Sequence, residues 1–544
     1  MRPQTAELGE DNCRFGPRNH CPRLSSGPRM TLEASRRRVL AGIVGGGIAG
    51  FAGCAESASR ENDTGFTIAL SSDPTSTDSY DTWGGMAPYW TRVVEPLVWG
   101  TDDMQPKPWL AADWNATDDT TWVFELREGV RFHNGDELTA DDVVHSFEED
   151  ILTDRGDFVH GWLHLEPGSV TKIDDYTVEF ENRDPFPGFP GTIAHNMIDI
   201  QPPEADRQAG EIIGTGPFTL EEIENGQYVR VERFDDYWGG KPNPSELTFR
   251  AAEDETTRTD LLVSGDVDVI YDPAKSRVSS LRERDDIRLT TQQSSGATSV
   301  WINIHRTPTD DVHFRRALNY AISQEEIVET VLEEIGEPAR GPISTVVDWA
   351  VDSELPTYER DRATARDLVD QSSYDGEELT CLVDNDMDNG RDLAQILQAE
   401  FDDIGVTVDI KILERASLQD RTDSGEFHLE LGSTGSNSPA ADYIMWENFH
   451  TRGIENNDLY EADGTGLYNL GGDVDDLIET GYQTHDPDEK YEAYVAAQRQ
   501  IVDAAVVVPL YYQEDAVAFD ATLEGIDLHP IAALVEWHDL ARTT

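Results

Sequence analysis

The hydrophobic period changes twice between residues 379 and 412, and no other feature of the chain constrains its fold as strongly. Leu379 to Val383 is a short apolar run; residues 391 to 403 then set Leu393, Ile396, Leu397 and Phe401 on one helical face; Val406, Val408, Ile410 and Ile412 alternate after them. Strand, helix and strand in so short a span predict a βαβ unit, whose strands lie parallel because the helix carries the chain back to the edge where it started. The chain is therefore expected to be an α/β protein.

The remaining periodicity agrees with that class. From Thr121, T-T-W-V-F-E-L alternates and puts Trp122, Phe124 and Leu126 on one face of a strand, which Arg127-Glu128-Gly129 turns into Val130-Arg131-Phe132. Thr139 with Asp142 has the capping-box spacing, and Val143, Phe147 and Ile151 follow at helical intervals. Strands are expected at Tyr176 to Phe180 and Tyr228 to Arg233, helices at 473 to 482 and 488 to 504, and a buried strand at Val506 to Tyr511. The 480 residues from 65 to 544 exceed one ordinary core, so two or three lobes are expected.

Charge decides the solvent in which such a chain can compact. Asp and Glu number 107 against 42 Lys and Arg, a formal charge of -65, and only six of the basic residues are lysine. At low salt this like charge repels itself, whereas at molar salt the screening length falls to ~3 Å. The composition resembles that of haloarchaeal proteins, which turns most acidic runs into solvation features. It excludes nucleic acid as a partner.

Ser35 to Leu40, S-R-R-R-V-L, opens 13 uncharged residues from Val39 to Phe51, ahead of Ala52-Gly53-Cys54. Paired arginines before a short apolar core form a twin-arginine export pattern, and the core is shorter than the ~20 residues a membrane span needs. The small-small-Cys ending resembles a lipobox, which would make Cys54 a lipidated first residue and hold the protein at the outer face of the cell membrane. A soluble export signal is the alternative. Residues 1 to 29 precede a second methionine, Met30, and are read as lying upstream of the true start. Residues 55 to 64 are small and polar, a flexible tether. Beyond Cys54 the one remaining cysteine is Cys381, so no disulfide framework exists.

Trp122 to Phe147 reads W-V-F-E-L-R-E-G-V-R-F-H-N-G-D-E-L-T-A-D-D-V-V-H-S-F, and in chain order it is joined by V-V-E-P-L-V at 93 to 98, G-T-G-P-F at 214 to 218, Y-W-G-G-K-P at 237 to 242, S-G-D-V-D-V at 264 to 269, F-R-R-A-L-N-Y-A-I at 314 to 322, V-D-D-L-I at 474 to 478 and V-V-V-P-L-Y at 506 to 511. Together these segments resemble the family 5 solute-binding proteins of ABC importers, a group that includes dipeptide, oligopeptide and nickel binders. The resemblance implies a two-lobed, periplasmic-binding-protein-like (type II) α/β fold with a hinge and an extra domain inserted in the first lobe. On that basis residues 1 to 54 are leader and signal and 55 to 64 tether; 65 to 82, 212 to 300 and 512 to 544 form lobe I, 83 to 211 the inserted domain, and 301 to 511 lobe II. It also implies a monomer that holds a small molecule or peptide between the lobes and passes it to permease subunits, with no cofactor. Ligand contacts both lobes only in the closed state, so binding shifts the population toward closure. Most signature residues are then structural.

The run Asp384 to Gly390, D-N-D-M-D-N-G, has acids at alternate positions but fails as an EF-hand, because position 6 is Asn389 instead of glycine and position 12 is Gln395 instead of glutamate. It sits between a strand end and a helix start, which faces the crevice in α/β lobes. In dipeptide-binding members of the family that loop carries an arginine for the ligand carboxylate, and a later G-W-T-G-D loop carries an aspartate for the amine. Here Asp384 occupies the arginine position, and the later loop, Gly432-Ser433-Thr434-Gly435-Ser436, has Ser433 for the tryptophan and Ser436 for the aspartate. Both anchors of a zwitterionic dipeptide are missing. Asp384, Asp386 and Asp388 instead favour a cationic solute, with an oligopeptide held through its backbone as the other reading; Asp442-Tyr443 offers a substitute amine anchor, and Tyr80, Trp83, Tyr89, Trp301 and Trp446 are candidate stacking surfaces. A merely solvated acidic loop is the alternative. His160 and His164 share the i, i+4 spacing of a metal pair but lack a third ligand nearby, so they read as a surface or loop pair. No G-x-S-x-G, H-E-x-x-H or Walker loop is present, which leaves a secreted hydrolase using Cys381, or a non-transport surface lipoprotein, as the weaker classes.

Overall fold

The computed structural model describes residues 64–79, 87–153, 156–350, 352–387, 389–453, 456, 467–468 and 470–543. Cys54 and its signal, Tyr80, Trp83 and Asp388 lie outside that set, as do the side chains of Tyr89 and His160.

Strand β1 (Gly65–Leu70) is followed by a separate four-stranded antiparallel sheet made of β2 (Ala111–Ala116), β3 (Thr121–Leu126), β4 (Val170–Asp174) and β5 (Thr177–Glu181), in the spatial order β2-β3-β5-β4. The alternation in β3 buries Trp122, Phe124 and Leu126 as expected. Helix α1 (Ala140–Ser146) begins with the capping box: Asp142 accepts the Thr139 backbone N–H at 2.8 Å and its hydroxyl at 2.9 Å. Past Ser146 the helix widens into one π-turn over Phe147–Ile151, and both of those residues reach a core that also holds Phe124, Phe180 and Phe189. Each such aromatic contributes roughly 1.5–3 kcal/mol by leaving water.

The chain then builds a larger sheet. β6 (Phe218–Glu224), β7 (Tyr228–Arg233) and β8 (Glu246–Ala251) pair antiparallel, β8 lies parallel to β1, and β9 (Val269–Tyr271) lies parallel to β1 on its other side. After β10 (Ile287–Ile302) come β11 (Leu379–Asp384), α2 (Gly390–Asp403) and β12 (Val408–Leu413), the expected βαβ unit, with β11 and β12 parallel. α3 (Arg415–Asp423) leads to β13 (Leu429–Thr434), also parallel to β11; α4 (Asp442–Phe449), α5 (Gly472–Gln483) and α6 (Pro487–Asp503) precede β14 (Val507–Asp520). The order across the sheet is β12-β11-β13-β10-β14-β9-β1-β8-β7-β6, with the two-residue strand Glu337–Pro338 on β14 as its eleventh member.

β14 runs nine residues past Tyr511, the end its apolar pattern predicts. Gln513, Glu514 and Asp515 break that pattern, yet they stay extended because β14 pairs with β10 along the whole crossing from Trp301↔Val507 to Ile287↔Asp520. The register of that pair shifts between Gln293 and Ala297, opposite Glu514 and Tyr512. Ser294, Ser295 and Gly296 thus form a bulge where the two strands pass from one half of the sheet to the other.

Three of the sequence segments named above converge on one buried carboxylate. Glu95, with no exposed surface, accepts hydrogen bonds from Trp109 Nε1 (2.8 Å), Tyr237 OH (2.7 Å), Thr215 Oγ1 (2.7 Å) and Trp238 Nε1 (2.9 Å). A buried carboxyl is tolerated only when its oxygens are hydrogen-bonded, and here four donors fill them.

Candidate ligand cavity

The parallel strands β12, β11 and β13 deliver their carboxyl ends to one edge of the sheet, where an α/β sheet opens its crevice. β11 ends at Asp384, β12 passes through Glu414 to Arg415 at the head of α3, and β13 ends in Gly432, Ser433 and Thr434. Asp384, Arg415 and Ser433 line a cavity of about 420 Å³, with Trp301 from β10 and Asn448 from α4 completing its wall. Asp386 and Glu430 add two further carboxylates.

Asp384 accepts the Asp386 backbone N–H at 3.0 Å on one oxygen and the Arg415 guanidinium at 3.3 Å on the other. Trp301 is rigid: it is 5% exposed, and its ring centroid lies 5.8 Å from that of Phe449 and 6.0 Å from that of Tyr468. Ser433 joins the cavity wall to the crossing strands. Gln513 Nε2 of β14 donates to Ser433 Oγ at 3.0 Å and to Thr298 Oγ1 of β10 at 3.1 Å. The absent side chain of Gly296 makes room for that amide, since a Cβ there would stand 2.0 Å from Gln513 Oε1.

The expected ligand residues therefore divide. Trp301, Asp384 and Asp386 meet in the cavity, and Thr434 adjoins it, its hydroxyl 3.5 Å from Asn448 Nδ2. Ser436, Asp442, Tyr443 and Trp446 do not line it. Ser436 is buried, its N–H on Ser295 Oγ at 3.0 Å and its own hydroxyl on the Ser438 carbonyl at 2.6 Å. Asp442 is 2% exposed and already holds an ammonium: Lys490 Nζ lies 2.6 Å away, and Tyr494 OH donates to it at 2.8 Å. Tyr443 stacks on Trp162 at 5.2 Å and Trp446 on His450 at 4.0 Å, both as packing. His164, read as a surface or loop residue, is instead 8% exposed at the left-handed end of the helix Asp157–Leu163, and burial draws its pKa down to about 4.

Arg415, Glu430 and Asn448 are cavity residues that sequence reasoning missed; only strand register reveals them. Cys381 is 3% exposed, and burial, with the nearby Glu430 charge second, pushes its thiol up to about 12. A thiol so placed holds its proton at neutral pH and is no nucleophile.

One sheet shared by two halves through a pair of crossing strands, with a mixed-charge cavity beside the crossing, defines a two-lobed solute-binding protein. The chain belongs to the bacterial extracellular solute-binding proteins, family 5 (Middle), whose model matches residues 105–456. It is similar to the probable D,D-dipeptide-binding periplasmic protein DdpA of Escherichia coli (strain K12), at 24% identity over 478 residues that cover 84% of this chain and 89% of that protein. Among solved structures, the ABC transporter substrate binding protein CtaP from Listeria monocytogenes matches with a TM-score of 0.77 at 25% identity, covering 88% of this chain and 99% of that one. NikA from Staphylococcus aureus, in complex with Ni(L-His)2, has the same fold with a TM-score of 0.74 at 19% identity, covering 88% of this chain and all of that one, 100%. Among the described residues no helix is long and apolar enough to cross a membrane.

Proposed function

We propose that the protein is the substrate-binding lipoprotein of an ABC importer, a binder and not an enzyme, which takes a small solute bearing a cationic group into the cavity at Asp384 and hands it to a membrane permease. The position of that cavity carries the reading: its wall at Ser433 is bonded through Gln513 to both strands that join the lobes, so ligand contact and lobe movement share atoms. Lobe I comprises residues 65 to 82, 212 to 300 and 512 to 544, the inserted domain 83 to 211, and lobe II 301 to 511. The acidic composition fits a haloarchaeal host, and the twin-arginine signal with Cys54 fits a lipid anchor on the outer face of its membrane.

Mass spectrometry of the compound released from protein purified natively in 3 M KCl identifies the ligand, and calorimetry with that compound measures its affinity. Asp384→Asn is expected to weaken binding about tenfold, the scale of a charge-assisted hydrogen bond, without moving the melting temperature. Asp442→Asn is expected to do the reverse, lowering stability by roughly 1–3 kcal/mol because Lys490 loses its buried partner. A released compound without a cationic group, bound equally well by the Asp384→Asn protein, would refute the assignment.

The anchor has its own test. Wild-type protein is expected to sediment with membranes and Cys54→Ser to be released or left unprocessed, since two hydrocarbon chains suffice for stable anchoring where one is marginal. Unmodified wild-type protein found wholly in the medium would remove the anchor from the reading.

A further inference from the structure

The cavity holds opposite charges side by side, and that arrangement says more about the ligand than the acids alone. Asp384, Asp386 and Glu430 line it, and Arg415 is the one cationic side chain among its described lining residues. Arg415 reaches this place through strand register: β11 and β12 lie parallel with Asp384 opposite Leu413, so the residue that opens α3 stands beside the end of β11. The pairing is thin. One nitrogen of the guanidinium meets Asp384 at 3.3 Å, while the Asp384 side chain is 15% exposed and that of Arg415 69%. A guanidinium has five donors in a planar fork matched to a carboxylate. A single long bond to Asp384 engages one of them, on a side chain that lines the cavity and is largely exposed.

The geometry points to Arg415 as a specificity-determining residue that receives a ligand carboxylate immediately beside the cation site at Asp384, so that the solute carries an α-amino-acid head. This rests on the reading of the cavity as the ligand site. An ammonium and a carboxylate on one carbon lie about as close together as the two protein groups that would meet them. A dipeptide separates its terminal charges by a full residue, ~3.3–3.6 Å of extra chain, and would strain to satisfy both. The rest of the cavity, about 420 Å³ in all, leaves room beyond the head group for a side chain against Leu418, Met387 and Trp301.

The twenty common amino acids, tested singly with the full chain in 3 M KCl by thermal shift and then calorimetry, are the probes. The best of them is compared with the amine left by removing its carboxylate and with the dipeptide it forms with glycine. At least one free amino acid is expected to bind more tightly than both. Arg415→Gln is expected to weaken that amino acid about tenfold and leave the amine unchanged, whereas Asp384→Asn weakens both; Arg415→Lys is expected to recover part of the loss. Equal loss of amine and amino acid in Arg415→Gln would mean that Arg415 only positions Asp384, and would overturn the inference. No binding of any amino acid, with Asp384-dependent binding of another cationic solute, would also overturn it while leaving the ligand cavity in place. Binding indifferent to Asp384 and Arg415 alike would remove the cavity assignment as well.

Discussion

Replacing Glu95 by alanine is expected to lower the unfolding free energy by roughly 4 kcal/mol or more, a large part of the ~5–15 kcal/mol that separates folded from unfolded proteins. Two indoles, a phenol and a hydroxyl would each lose their acceptor at a site closed to water. Donors stranded in this way cost about 1–3 kcal/mol each, and partial relaxation keeps the total below the simple sum. Glutamine is the informative control. Its amide keeps one acceptor but turns the other oxygen into a donor that faces an indole N–H and a hydroxyl able to turn and accept, so Glu95→Gln is expected to lose about half as much or less. Denaturant unfolding of the three proteins in 3 M KCl, followed by tryptophan fluorescence, tests the order wild type, Gln, Ala. Equal midpoints would mean that the four bonds contribute nothing net.

Moving the wild-type protein from 0.1 to 3 M KCl is expected to stabilise it by several kcal/mol. The screening length contracts from ~10 Å to below ~3 Å over that range, so most of the self-repulsion behind a charge of -65 disappears in the compact state, where the charges lie closest. Ion pairs among exposed side chains run the other way and weaken with salt, but they are worth only ~0–1 kcal/mol each. Acids outnumber bases 107 to 42, so repulsion wins. A denaturation midpoint that stays flat or falls between those concentrations would show that the acidic surface is energetically neutral.

Periodicity is a local signal, and the fold was legible wherever structure is local. The βαβ unit at 379 to 413, the buried face of β3 and the cap at Thr139 all follow from residues within a few positions of one another. The far half of β14 was hidden because Gln513, Glu514 and Asp515 are dictated by pairing with β10, more than two hundred residues away in sequence. The site divides along the same line. The position of Asp384 and Asp386 at the candidate cavity could be read because a strand end before a helix is visible in sequence. Arg415 could not, because in so acidic a chain an exposed arginine beside acids looks like a solvated pair until strand register sets it at the cavity. Asp442 differs in the opposite direction: a lysine almost fifty residues downstream, Lys490, pairs with it in the fold, and no local signal in the sequence reveals that pairing.

The place of β14 in the sheet has a consequence for how the chain can be made. Among the described strands of this sheet it is the last in chain order, yet it lies between β10 and β9, in the interior of the sheet. The β1 side and the β13 side can each collapse early, but neither has its inner neighbour until residue 520 has been synthesised. Such pairing closes loops of hundreds of residues, which is slow and leaves strand edges exposed meanwhile. Completion of the sheet therefore waits on β14 by topology, and a chain stalled before β14 carries two unfinished edges.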